Sequence, residues 1–149
     1  DEQIKKHLYS DKVFLSFGEI DCRKEEGILS YSLKNSKNIT KVCEETINGY
    51  VNYMEEKLSP LYREKYYFGI PAPIIRDKII DMSNVKRINM IRIYNSILKK
   101  EVTSRGSFFL DVYSLTTTLR GVNNEIYMCD DYHLSPRSMS TLFDDHLYK

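Results

Sequence analysis

A chain of 149 residues with 42% hydrophobic and 29% charged side chains can fold as one globular domain around a sizeable core. Its 22 basic and 21 acidic residues are interspersed and leave a net charge of +1, so no global field draws in nucleic acid or an anionic membrane surface. No apolar run approaches membrane-spanning length, no secretory leader is evident, and Cys22, Cys43 and Cys129 form neither a CxxC metal pair nor a disulfide framework. The cysteines read as reduced thiols, at least two of them buried, which favours a cytoplasmic compartment. No cofactor or metal is expected.

Residues 1–11 read as the end of a helix ahead of the first strand. Val13-Phe14-Leu15-Ser16-Phe17 is a short apolar run stopped by Gly18, the pattern of a strand buried on both faces of a parallel sheet. Gly18 to Arg23 then forms a turn at the C-terminal end of that strand, the edge where open α/β sheets bind ligands. Residues 24–38, rich in Lys, Glu, Ser and Asn, are expected to be a long loop. Apolar residues at spacings of three and four from Ile39 to Leu58 predict a helix capped near Asn38 and stopped before Pro60. Asn38-Ile39-Thr40 is also a glycosylation triplet, a pattern common by chance.

Tyr66 to Ile70 reads as a second buried strand, ended by Pro71-Ala72-Pro73. Residues 74–82 fit either a loop or a short helix. A clear helix follows, with Val85, Ile88, Ile91, Tyr94, Ile97, Leu98 and Val102 on one stripe, Ser83 or Asn84 as its cap and Gly106 just past its end. Phe108 to Val112 is the third strand, with Asp111 unusual inside it and suited to a strand end or to pairing with a neighbour. Residues 113–129 read as a loop, Ile126 to Met128 as a short extended stretch, and Pro136 onward as a closing helix. Alternating strands and helices imply a three-layer α/β domain on a parallel sheet. Three strands make a thin sheet.

Chemistry concentrates in Asp130-Asp131-Tyr132-His133-Leu134-Ser135-Pro136. A carboxylate three residues before an imidazole can fold back on it, fix its tautomer and raise its basicity. The same residues also fit an ordinary helix start, with Ser135 as the cap and Asp130 and Asp131 as loop acids. His7 and His146 lie in polar surroundings and read as surface residues. No GxGxxG or P-loop follows any strand, which argues against nucleotide binding.

Two blocks together resemble the SGNH (GDSL-type) hydrolases. Val13 to Asp21, a buried strand ending in Gly18-Glu19-Ile20-Asp21, is similar to their third block, and Asp130-x-x-His133-Leu134-Ser135 to their fifth. The resemblance implies a serine ester hydrolase in which His133 is the general base, Asp130 orients it and Gly18 occupies the third-block glycine position. Asp21 and Arg23 follow as oxyanion or substrate-binding candidates. The chain departs from the family at two points. Ile20 stands where an oxyanion-binding asparagine is expected, and an alkyl group cannot donate. Arg23 is a candidate replacement for that donor, although it also suits pairing with a nearby acid. The Gly-Asp-Ser nucleophile block is absent.

The expectation is therefore a single SGNH-like domain over residues 1–149 that lacks its nucleophile segment. A preceding segment or second chain would complete the sheet and supply the serine. An acyl ester, such as an O-acetyl group on a carbohydrate, would be the substrate, with residues 24–38 and 113–129 shaping the pocket. The alternative is a non-catalytic SGNH-like module that binds a glycan or a protein.

Overall fold

A computed structural model describes residues 11–77 and 79–147, with side chains described as far as Phe143. The expected helix before the first strand lies outside the described residues, as do His7 and the side chain of His146. Three parallel strands, β1 (Lys12–Leu15), β2 (Glu64–Phe68) and β3 (Phe108–Leu110), form a sheet in the order β1-β2-β3. Phe14 pairs with Tyr66, and Tyr66 with Phe108, across the register. The helices are α1 (Gly27–Lys34), α2 (Ile39–Leu58), α3 (Met82–Thr103), α4 (Val112–Thr116) and α5 (Pro136–Leu147).

Strand alternation sends the side chains to two separate cores. Leu15, Tyr67 and Phe109 face Val42, Ile47 and Val51 of α2 and Ile91, Tyr94, Leu98 and Val102 of α3. Tyr66, Phe68 and Leu110 point the other way, toward Val112 of α4 and Leu142 of α5. On that second face Phe14 stacks on Tyr66 at 5.0 Å and Tyr66 on Phe108 at 4.7 Å, while Phe143 meets the edge of Phe14 at 5.1 Å. The outer two rings of this row remain open, Phe14 at 44% exposure and Phe108 at 43%. The domain is thus a three-layer α/β fold, dense on one face and thinly covered on the other.

Several elements differ from the expectation. Residues 24–38 are not one loop, because α1 lies inside them. It buries Ile28, Leu29 and Ser32 while leaving Tyr31 and Leu33 exposed, so its apolar residues do not fall on one stripe. The cap of α3 is Asp81, whose carboxylate accepts from the Asn84 N–H at 2.7 Å, rather than Ser83 or Asn84. Asp111 lies just past the end of β3, one of the two placements expected of it. It ends β3 by capping α4, accepting from the Ser114 N–H at 3.0 Å and the Ser114 hydroxyl at 2.9 Å. Only Met128 of the stretch expected to be extended forms a bridge, to Leu134. Asn38 caps α2 as expected, its side chain accepting from Lys41 N–H at 3.1 Å.

The segment leaving β2 has no ladder of its own, and side chains hold it instead. Buried Asn95 accepts from the Ile70 N–H at 2.7 Å and donates to the Ile70 carbonyl at 2.9 Å. Thr116 accepts from the Ala72 N–H at 3.0 Å, and Asn123 donates to the Ala72 carbonyl at 2.7 Å. Pro71 and Pro73 cannot extend a ladder, so these bonds satisfy the backbone groups that would otherwise be orphaned.

Candidate active site

The C-terminal ends of β1 and β2 open into a cavity of about 840 Å³. Residues 16–21 form one side and residues 68–71 another; Tyr50 of α2, Tyr94 of α3 and Met139 of α5 complete the apolar wall. Tyr132, His133 and Leu134 close it from the opposite side. The residues singled out after the first strand and those near the C-terminus therefore meet at one cavity.

Asp130 and His133 are joined directly. The Nδ1 of His133 is 2.6 Å from Asp130 Oδ2. The other carboxylate oxygen accepts from the backbone N–H groups of Tyr132 and His133, each at 2.7 Å. These two amides and the imidazole stabilise the ionised form and hold the Asp130 carboxyl down at about 2. A permanently ionised Asp130 favours the proton on Nδ1, which leaves Nε2 with its lone pair. No described residue bonds Nε2. The His133 side chain is 74% exposed and lines the cavity, so its unbonded nitrogen is open to solvent there.

The loop is held at both ends. Cys129 N–H donates to the His133 carbonyl at 2.9 Å, and Ser135 N–H donates to the Tyr127 carbonyl at 2.8 Å. Arg76 grips Asp131 with two bonds, at 3.0 and 2.5 Å. Pro136 begins α5, a position where its missing N–H costs nothing. Ser135 does not cap that helix through its side chain. Its hydroxyl is buried without a partner, and its carbonyl accepts from Ser138 instead.

Gly18 lies at the cavity with φ at +90°, a conformation that favours glycine. Ile20 also lines the cavity, with its alkyl chain 61% exposed. Asp21 lines it too, half-buried and unpaired among the described residues, and desolvation pushes its carboxyl above the usual range. Arg23 is not among the lining residues. Its guanidinium forms a fork with Glu19 at 2.9 to 3.2 Å and stacks over the Tyr132 ring at 4.6 Å. It thus ties the turn after β1 to the His133 loop and pairs with a nearby acid, one of the two roles expected of it. Residues 24–38 and 113–129 do not line the cavity either.

Sequence reasoning passed over Tyr132, Ser16, Tyr50 and Tyr94. Ser16 is the one serine lining the cavity among the described residues, exposed at the end of β1. Tyr50 and Tyr94 carried no signal, since each fits the apolar stripe of its helix, and Tyr132 was hidden beside the more reactive His133. Among the described residues no cluster of three or more His, Cys, Asp or Glu could hold a metal ion. The three cysteines are free, Cys22 and Cys43 buried and Cys129 exposed. No described helix is long and apolar enough to cross a membrane.

A parallel sheet with helices on both faces, carrying an Asp–His loop at its C-terminal edge, is a three-layer α/β fold. Solved structures share it. One is a protein from Streptococcus pneumonia provisionally described as a platelet activating factor, with TM-score 0.58 and 21% identity over 99% of this chain and 65% of that one. Another is a catalytic mutant of an acetylxylan esterase from Geobacillus stearothermophilus, with TM-score 0.51 and 16% identity over 99% of this chain and 62% of that one. At these identities the likeness is one of fold. The chain spans less than two thirds of the length of either protein. No family model matches it, and no curated protein matches it in sequence.

Proposed function

We propose that this chain carries the acid–base half of a serine ester hydrolase, with the serine supplied from outside residues 1–149. The observation that carries the reading is the 2.6 Å Asp130–His133 contact, with Nε2 unbonded at the mouth of an apolar cavity. His133 takes the proton of the serine hydroxyl as its oxygen adds to the acyl carbon. The collapsing intermediate expels the alcohol, which receives that proton from His133, and leaves an acyl-enzyme. A water molecule, deprotonated by His133, then releases the carboxylic acid and frees the serine. Asp130 stays ionised throughout.

The incoming segment also adds to the sheet beside β1. Phe14 and Phe17 lie on and beyond that strand at 44% and 47% exposure, apolar surface that a neighbouring element would cover. The substrate we favour is an acetyl ester of a carbohydrate. Support for it comes from the acetylxylan esterase among the similar folds and from a cavity whose aromatic wall suits a sugar ring.

The test is labelling of the natural full-length protein by a fluorophosphonate, with the modified serine located by mass spectrometry. One labelled serine outside residues 1–149, lost in His133→Ala, is the expected result. Label on Ser16 would put the nucleophile within this chain instead. Absence of labelling, with no difference between the two proteins, would leave a binding module as the better reading.

A further inference from the structure

Two tyrosine hydroxyls in the cavity wall lack partners. Tyr94 belongs to the core stripe of α3 and is 1% exposed, yet no described residue makes a hydrogen bond with its hydroxyl. The hydroxyl of Tyr50 on α2 is buried and equally unbonded. By contrast Tyr67, on the same face of the sheet, donates to Glu55 at 3.0 Å. A phenol hydroxyl shut away from water without an acceptor costs about 1–3 kcal/mol, which the Tyr50 hydroxyl bears, whereas the Tyr94 hydroxyl is not among the shut-away atoms and needs an opening to the cavity.

Gly18 supplies it for Tyr94. A Cβ at Gly18 would collide with the Tyr94 hydroxyl and approach Ile70 Cδ1 to 3.0 Å. The missing side chain leaves a notch in the turn after β1, and the Tyr94 hydroxyl forms its floor. That hydroxyl belongs to a cavity-lining residue, beneath the turn that also carries Ile20, the side chain that cannot donate.

We propose that the Tyr94 hydroxyl is the donor to the acyl oxygen of the substrate, holding the negative charge that develops there as the nucleophile adds. The proposal rests on the ester-hydrolase reading. As the nucleophile's oxygen bonds to the carbonyl carbon, the carbonyl π pair moves onto the carbonyl oxygen. Tyr94 donates a hydrogen bond to that oxygen and keeps its own proton. When the intermediate collapses, the pair re-forms the carbonyl bond and the alcohol leaves with the proton from His133. Burial, with Cys22 and Asp21 nearby, raises the Tyr94 phenol far above its ordinary range, so it stays a donor at every working pH. In apolar surroundings such a bond strengthens as the oxygen becomes anionic, so its loss falls on kcat more than on KM.

The experiment uses this chain with p-nitrophenyl acetate, an activated ester that an imidazole cleaves without a serine. Wild type, His133→Ala and Tyr94→Phe are compared. Tyr94→Phe keeps the ring, and because the lost hydroxyl bonds no described residue, its melting temperature is expected to match wild type. His133-dependent cleavage should fall about 10²-fold in kcat in Tyr94→Phe, with KM within about twofold. Wild-type kcat and KM in that variant would overturn the proposal. If cleavage does not depend on His133, the ester-hydrolase reading fails on its own, and acetate binding decides the role of Tyr94. A saturable acetate-induced shift of the Tyr94 ¹³Cζ resonance supports it. An unmoved resonance overturns it.

Discussion

The two walls of the cavity are built on opposite physical terms. The His133 wall is a polar loop, largely exposed, whose Asp–His pair is set by bonds between residues two and three apart, from Asp130 to Tyr132 and His133. The facing wall is part of the dry core, where Tyr50 and Tyr94 come from separate helices and Gly18 from the turn after β1. A base must exchange protons with what enters the cavity, so it benefits from water and from a permanently ionised carboxylate. A donor that stabilises developing charge gains from the reverse, a rigid, desolvated position. On the proposed reading the chemistry is divided between a wet half and a dry half, and each half can be perturbed without dismantling the other.

The largest effect should come from the wet wall. Asp130→Asn preserves the shape of the loop but replaces the ionised carboxylate with an amide that no longer enforces the Nδ1–H tautomer. In the natural full-length protein acting on an acetyl ester, kcat should drop by about 10⁴-fold, while the fold is retained with only a modest loss of denaturant stability. A loss of stability without loss of turnover would assign Asp130 to structure alone.

On the dry side the expected change is in folding. Asn95→Leu removes the side chain that satisfies both backbone groups of Ile70, so urea denaturation should register about 2–4 kcal/mol of destabilisation. A smaller contrast separates two phenols of this face. Tyr67→Phe deletes a bond to Glu55 and should cost about 1 kcal/mol, whereas Tyr50→Phe deletes none and should leave the melting temperature unchanged or slightly higher. Equal losses for the two would contradict the unpartnered state of Tyr50.

The subtlest prediction concerns pH. Because the folded Asp130 carboxyl lies at about 2, below its unfolded value near ~3.9, its stabilising contribution is full above the unfolded value and lost as pH falls through about 2. Activity should therefore show no step from Asp130 between pH ~4 and neutrality. In His133→Ala the carboxyl should titrate higher, yet still below the ordinary range, because the amides of residues 132 and 133 continue to bond it. Side-chain ¹³C shifts of Asp130 would report both values.

The contrast between the walls also explains what could be read from the sequence. The Asp130–His133 pair was legible because its partners are neighbours in the chain, and α2 because its stripe and its Asn38 cap are both local. The parallel three-layer sheet followed from alternating apolar runs. Tyr94 was hidden by the same rule that made α3 visible, since a phenol on a core stripe looks like any other apolar residue. Its relation to Gly18 joins residues far apart in the chain, which no local pattern encodes. Misread elements share a cause. The apolar residues of α1 are split between a buried and an exposed side, and Asp111 and Asp81 act as caps for helices whose starts are set by packing.

The base role of His133 can be examined without any substrate. A long-range ¹H–¹⁵N spectrum of the imidazole, recorded where the ring is neutral, distinguishes which nitrogen holds the proton. The 2.6 Å contact with ionised Asp130 predicts the proton on Nδ1 and an unprotonated Nε2. A neutral ring protonated on Nε2 would leave no lone pair to accept a proton from a nucleophile, and His133 could not serve as the general base.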